Sequence, residues 1–227
     1  MLSDFISLIF PQTCVSCGKS LYKNEYSICT YCAYYLPKTN FHLEKDNPVA
    51  QIFWGRVPIV SAAAFYGFNK GGKVQHLIHQ LKYRGQKNIG ISVGKLYGFE
   101  LNHSIYFNTV DIIIPVPLHP KKQKKRGYNQ SDFFAKGLAE SMHIGVDLKT
   151  LYRAADSETQ TKKSRFSRWQ NVESIFQLHD ADKLKGKHIL LVDDVITTGA
   201  TLEACAHTLL QVPNVKVSIA AIAYASH

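Results

Sequence analysis

The architecture of this chain can be read from residues 188–201, HILLVDDVITTGAT. A short apolar run, of the kind that forms a buried parallel strand, leads into two acids and a turn rich in hydroxyl groups. A helix is predicted to begin near Leu202. At a helix N-terminus the unpaired backbone N–H groups and the helix dipole favour an anion. The stretch therefore predicts a phosphate site at the carboxyl end of a strand.

The turn supplies the donors for this predicted site. The candidate phosphate-binding residues are Thr197, Thr198, Gly199, Ala200 and Thr201. The three threonine hydroxyls add to the backbone donors, and Gly199 lets the backbone approach a phosphate because it has no Cβ.

Two adjacent acids, Asp193 and Asp194, precede the turn. A sugar attached to the bound phosphate would bring its vicinal hydroxyls to these carboxylates, and a magnesium shell could share them. The alternative is a capped helix after a buried strand. Adjacent carboxylates at a strand end cost desolvation and repulsion unless a cation or a hydroxyl compensates them, so the pattern favours a sugar phosphate site over a capped helix.

The flanking sequence predicts the rest of an α/β sheet. Short apolar runs rich in β-branched residues predict strands at Val60–Tyr66, Val110–Val116, Lys187–Val192 and Val215–Tyr224. Apolar residues at helical spacing predict helices at Gly72–Tyr83 and Ser131–Met142, with Ser131 as the N-cap of the second.

Four of the five cysteines form two Cys-x2-Cys pairs, which are Cys14, Cys17, Cys29 and Cys32. Four soft thiolates without a histidine or carboxylate leave no open position for a catalytic water, so the spacing favours a structural zinc ion. Disulfides or an iron–sulfur cluster are the alternatives. Cys205 stands apart and is expected to serve packing in its helix.

Length and composition favour one α/β domain with a small appended module. The chain has 227 residues, of which 45% are hydrophobic. We predict a four-cysteine zinc module with a short N-terminal helix at 1–40, a linker at 41–57 and the α/β domain at 58–227. The N-terminal segment resembles neither a signal peptide nor a membrane span, because it lacks a basic leading region and polar residues interrupt its apolar run. A cytoplasmic protein without membrane insertion is therefore expected.

The charge favours polyanionic partners. Twenty-seven Lys and Arg residues against seventeen Asp and Glu residues give a formal net charge of +10. Nucleic acid and phosphate-rich small molecules both fit this excess.

The acids and the turn resemble the phosphoribosyl pyrophosphate (PRPP) signature of type I phosphoribosyltransferases. Together with the cysteine pairs, Pro115-Val-Pro-Leu118 and Arg126-Gly-Tyr-Asn-Gln130, they make the chain similar to the competence-associated ComF family. The resemblance implies a phosphoribosyltransferase-like domain that binds PRPP with Mg²⁺ and a role in DNA uptake during natural transformation. Other competence proteins, such as a DNA helicase, are candidate partners.

The resemblance also implies further site residues. The pyrophosphate loop is expected at Val116, Pro117, Leu118 and Lys121. The family motif beside the site is Arg126, Gly127, Tyr128, Asn129 and Gln130. A long basic segment resembles the flexible loop that closes over PRPP, with Arg153, Gln160, Lys162, Lys163, Arg165, Arg168 and Asn171.

Two classes of function follow from these residues. An enzyme would transfer the phosphoribosyl group to an acceptor that no motif identifies. A non-enzymatic factor would bind single-stranded DNA through basic residues at 121–126 and 162–168, interleaved with aromatic residues, and use PRPP as a regulatory ligand. A nucleotide hydrolase is the weakest alternative, because Val74 replaces the hydroxyl residue that a phosphate-binding loop at Gly67–Val74 needs for magnesium.

Overall fold

The computed structural model describes residues 11–154 and 175–225. Within them the strands are β1 Ala62–Gly67, β2 Ile112–Pro115, β3 Gly145–Val146, β4 Leu151–Arg153, β5 Phe176–Leu178, β6 His188–Ile196 and β7 Lys216–Tyr224. Five of them form a parallel sheet in the order β1-β7-β6-β2-β3, while β4 and β5 form a separate antiparallel ribbon. The long strand β6 is therefore central, where both of its faces are covered.

Helices lie on both faces of the sheet. They are α1 Thr30–Tyr35, α2 Pro48–Gln51, α3 Lys73–Tyr83, α4 Asn88–Asn102, α5 Pro120–Arg126, α6 Gln130–Met142 and α7 Ala200–Leu209. Alternate residues of β6 enter different cores: Leu190 and Val192 pack with α3, α4 and α6, whereas Ile189 and Leu191 pack with α2 and α7. This two-residue period, with apolar side chains on both faces, explains the continuous apolar run in the sequence.

The four predicted strands and the helices predicted at Gly72–Tyr83 and Ser131–Met142 are confirmed, with ends that differ by a few residues. The short N-terminal helix predicted for the cysteine module lies outside the described residues. The predicted cap of α6 is wrong. Asn129 is the N-cap, because the helix begins at Gln130 and the Asn129 side chain accepts a hydrogen bond from the Ser131 backbone N–H at 3.3 Å. Ser131 therefore lies inside the first turn, where its hydroxyl is available for another contact.

Helix α4 was not predicted. Its sequence contains three glycines four residues apart, Gly90, Gly94 and Gly98, which lower helix propensity. In the structure they line the contact with α6, and a Cβ on Gly94 would lie 2.4 Å from the Phe134 carbonyl oxygen. The glycines thus trade local propensity for a close approach of two helices.

The cysteine module joins the sheet through its edge strand. The Gly67 N–H donates to the Pro37 carbonyl at 2.9 Å, and the Thr39 N–H donates to the Phe65 carbonyl at 3.0 Å. Residues 41–57, expected to be a linker, include α2 and the fully buried Phe53. The division into module, linker and domain stays a prediction. No helix in the described residues is both long and apolar enough to span a membrane.

Candidate PRPP and metal sites

The turn after β6 presents a row of free backbone donors. Strand β6 ends at Ile196 and α7 begins at Ala200, two residues before the predicted start. Within the described residues, none of the backbone N–H groups at positions 198–202 donates a hydrogen bond. They surround a small cavity of about 50 Å³ lined by Asp193 and residues 195–202. The turn thus has the unpaired donors that an anion requires.

Gly199 is required by both backbone conformation and space. Its φ of +74° lies in the left-handed region, and a Cβ there would meet Ile52 Cγ2 at 2.7 Å and Phe53 Cε1 at 3.1 Å. The residues that follow α2 therefore pack directly against the phosphate turn. The sequence predicted the glycine but not this support.

Arg56 is a further residue at the turn that the sequence did not reveal. Its Nη1 donates to the Thr198 carbonyl at 3.0 Å and to the Ile52 carbonyl at 3.1 Å, while Nη2 pairs with Glu203. The guanidinium thus bridges the turn and the first turn of α7. Because Arg56 and Thr198 are 142 positions apart, no local pattern could indicate this contact.

The two acids occupy different environments. Asp194 is 4% exposed, and its Oδ1 lies 2.9 Å from Lys82 Nζ at the end of α3. Its Oδ2 is buried without a hydrogen-bond partner in the described residues. Asp193 is half-buried, and its Oδ1 accepts hydrogen bonds from Ser131 Oγ at 2.9 Å and from the Asp194 N–H at 2.8 Å.

The electrostatics of the pair follow from this arrangement. Burial and the negative charge of Asp194 raise the pKa of the Asp193 carboxyl to about 7. A cation or hydroxyl donors at the carboxyl end of β6 would stabilise the ionised form of Asp193. The orphaned Asp194 oxygen and the raised pKa of Asp193 therefore fit a site whose ligand brings donors or Mg²⁺.

The Arg126–Gln130 motif holds the loop after β2 in place. Asn129 Nδ2 donates to the Val116 carbonyl at 3.0 Å, and the Tyr128 hydroxyl donates to the Leu81 carbonyl. Gly127 ends α5 with a φ of +81°. The motif thus ties the loop to α3 and α6, and these contacts give it a positioning role.

The predicted pyrophosphate loop is divided between two environments. Val116 is buried and its N–H donates to the Val192 carbonyl at 2.8 Å, so the chain still runs beside β6 there. Pro117 and Leu118 are half-buried, and Lys121 lies in the first turn of α5. The four lysines of α5 are exposed and make no ion pair within residues 11–154 and 175–225: Lys121, Lys122, Lys124 and Lys125.

Of the residues predicted for the flexible loop, the structure describes Arg153. It ends β4, and its guanidinium lies 5.5 Å from the centre of the Phe176 ring on β5. The remaining predicted residues lie outside the described part of the chain: Gln160, Lys162, Lys163, Arg165, Arg168 and Asn171.

The four N-terminal cysteines converge as their spacing predicted. The sulfur atoms of Cys14, Cys17, Cys29 and Cys32 all lie within 4.8 Å of one another, and none forms a disulfide. The Cys17 and Cys29 sulfurs are 3.7 Å apart, close to the ~3.8 Å that a tetrahedron with ~2.3 Å Zn–S bonds requires. The Cys29 N–H donates to the Cys14 sulfur at 3.3 Å, which favours the thiolate. The cluster could hold a metal such as zinc.

Comparison with known proteins agrees with this geometry. Residues 82–227 match the phosphoribosyl transferase domain family. The chain is 30% identical over 207 residues to the DNA utilization protein YhgH of Shigella flexneri, covering 87% of this chain and 84% of that protein. It is 27% identical over 201 residues to Competence protein ComFC of Bacillus subtilis strain 168, covering 88% and 78% respectively.

The family match at residues 82–227 includes strand β6, which carries Asp193 and Asp194. The shared domain has the parallel sheet flanked by helices described above. The chain therefore belongs to the phosphoribosyl transferase domain family and, within it, to the ComF family of competence and DNA-utilization proteins.

Proposed function

We propose that this chain binds PRPP at the carboxyl end of β6. The turn Thr197–Thr201 would hold the 5′-phosphate, and Asp193 and Asp194 would accept hydrogen bonds from the ribose hydroxyls. The observation that carries the proposal is the row of free N–H groups at 198–202, directly after a buried Asp194 oxygen that lacks a partner in the described residues.

We also propose phosphoribosyl transfer as the reaction of this site. When an acceptor displaces pyrophosphate from C1′, positive charge develops on the ribose and negative charge on the leaving group, so positioning and electrostatics supply most of the catalysis. Asp193 and Asp194 would orient the ribose. The loop Val116–Leu118 would border the pyrophosphate, and a bound Mg²⁺ would neutralise its charge.

A second candidate is a DNA-binding factor of the cytoplasm in which PRPP is a regulatory ligand. The exposed lysines of α5, unpaired within the described residues, favour it because they form a cationic surface directly after the loop at the proposed site. The names of the relatives, which refer to competence and DNA utilization, agree with a nucleic-acid role. The two candidates share the PRPP site and differ in turnover.

The four cysteines are proposed to hold a structural zinc ion. The donor set supports this role, because four thiolates complete a tetrahedral shell and leave no position for substrate.

Calorimetric titration of Mg²⁺-PRPP into the zinc-loaded protein tests the PRPP site. Asp194→Asn removes the charge offered to the ribose, and Gly199→Ala forces a Cβ against Ile52. Each should weaken PRPP binding roughly ten-fold or more. For Asp194→Asn the reason is that hydrogen bonds to charged groups contribute ~1.5–3 kcal/mol. Gly186→Ala is the matched control: its φ is also positive, at +70°, but a Cβ there meets no atom within 4 Å.

The titration separates the outcomes. Selective PRPP binding that is lost in the two site variants and kept in the control supports the site, and pyrophosphate release with an acceptor then distinguishes an enzyme from a binding factor. A folded wild-type protein that binds no PRPP would disprove the proposal.

A further inference from the structure

Tyr83 forms an exposed aromatic surface at the end of α3. Tyr83 is 65% exposed to solvent. The ring centre lies 5.0 Å from that of His79, one helical turn earlier, and 5.3 Å from the Arg126 guanidinium at the end of α5. The ring is thus held by two neighbours while most of its area remains open to solvent.

Residues that neighbour Tyr83 are linked to both acids of the proposed PRPP site. Lys82, the preceding residue, contacts Asp194 at 2.9 Å. On the other side, Arg126 binds the side chain of Gln130, and the next residue, Ser131, donates to Asp193 at 2.9 Å. The first link is the residue next to Tyr83, and the second link runs from Arg126 through Gln130 to Ser131. These contacts connect the aromatic surface to the residues that hold the two acids.

A cationic row continues from the same surface. Arg126 is the last residue of α5, whose exposed lysines make no ion pair within the described residues. Single-stranded nucleic acids are bound by aromatic rings that stack on bases and by cations that follow the phosphates. Tyr83 and α5 offer both kinds of contact side by side.

We propose that Tyr83 and Arg126 form a base-stacking subsite for a nucleotide, with the lysines of α5 as its phosphate contacts. The base can come from a free nucleotide or from a single strand. The proposal deepens the nucleic-acid role given as the second candidate function and does not depend on PRPP binding.

Another exposed aromatic residue provides a matched control. Phe99 of α4 is 63% exposed and its ring packs on His103, also four residues away, at 4.6 Å. In the described residues no Lys or Arg lies over the Phe99 ring, and no ion pair or hydrogen bond connects it to the acids. A general effect of removing an exposed aromatic side chain should therefore be the same at both positions.

Fluorescence anisotropy with a labelled oligo(dT) of about 20 nucleotides, and with an abasic strand of equal length, tests the subsite. Tyr83→Ala should weaken oligo(dT) binding roughly ten-fold, because a stacked base contributes that much affinity. Tyr83→Phe should keep the wild-type affinity for oligo(dT), and Phe99→Ala should leave that affinity unchanged. Binding of the abasic strand should not respond to Tyr83→Ala. Replacing Lys121 and Lys124 with Gln should weaken the binding of both strands and reduce the salt dependence of that binding.

The outcomes identify both the contact and its source. If Tyr83→Ala leaves oligo(dT) binding unchanged, or weakens the binding of both strands equally, the proposed subsite is disproved. Competition by millimolar dTMP that displaces the strand from wild type but not from Tyr83→Ala would show that a free nucleotide suffices, whereas displacement only by an oligonucleotide would assign the subsite to a strand. Titration of PRPP into the same variants keeps a failure of the PRPP proposal separate from a failure of this one.

Discussion

Lys82 provides the cation for the buried acid Asp194. The side chains are 22% and 5% exposed, and their charged atoms are 2.9 Å apart. A buried carboxylate without its cation carries an uncompensated desolvation cost. The ion pair therefore makes the stability of the C-terminal end of α3 depend on the ionised carboxylate of Asp194 in the proposed ribose site.

Lys82→Met should destabilise the protein by about 2–4 kcal/mol, less than for a fully buried pair because Lys82 retains some solvent contact. The matched control is Lys95→Met, which breaks an exposed pair with Glu140, where the side chains are 51% and 55% exposed. It should cost less than about 1 kcal/mol. Urea unfolding without PRPP measures both changes. Equal losses in the two variants would show that burial of the Lys82–Asp194 pair has no special energetic role.

At the scale of elements, the contact between α4 and α6 depends on glycine. A Cβ on Gly137 of α6 would lie 2.2 Å from the Ile91 carbonyl oxygen and 2.9 Å from Gly94 Cα. Backbone atoms cannot yield as a flexible side chain can, so a methyl group here must separate the helices. Since α6 also carries Ser131, which contacts Asp193, this packing helps to set the geometry of the site.

Gly137→Ala should therefore destabilise the protein by about 3 kcal/mol, the upper part of the usual range for overpacking. Gly145→Ala in β3 is the control, because a Cβ there meets no atom within 4 Å and the residue has no positive φ. Thermal unfolding should show a large decrease in Tm for the first variant and little change for the second. A comparable Tm for the two would contradict the close packing of the helices.

At the scale of the whole molecule, the cysteine module and the sheet share one hydrophobic core. Cys14, Cys29 and Cys32 belong to the same buried cluster as Phe65 of β1 and Leu77 of α3. Ser92 of α4 also donates to the Tyr26 carbonyl of the module at 3.0 Å. Loss of the module should therefore affect the stability of the whole chain.

Replacing Cys14 and Cys17 with Ser should abolish stoichiometric zinc and lower the Tm of the entire protein in one transition, because metal binding energy contributes to folding. Mass spectrometry of bound metal and calorimetry measure the two effects, and a zinc chelator added to wild type should reproduce them. Lys23→Ser, an exposed position in the same module, is the control. A metal-free double variant that unfolds at the wild-type temperature would refute a structural ion, while two separate transitions would refute the shared core.

The sequence by itself determined the features that depend on short spacings. The β6 run, the turn around Gly199 and the two cysteine pairs were predicted because each pattern acts within a few residues. The strand order could not be derived in this way. Helix α4 was missed for a related reason: its glycines have low helix propensity, and the α6 contact that they permit is visible only in three dimensions.

The tertiary structure alone decided which distant side chains complete the site. Lys82 reaches Asp194, Ser131 reaches Asp193, and Arg56 reaches Thr198. These contacts exist because β6 lies between β2 and β7, so that its carboxyl end receives residues from α3, α6 and the segment after α2. A parallel sheet brings together loops that are remote along the chain, and long-range packing, not local propensity, sets their distances.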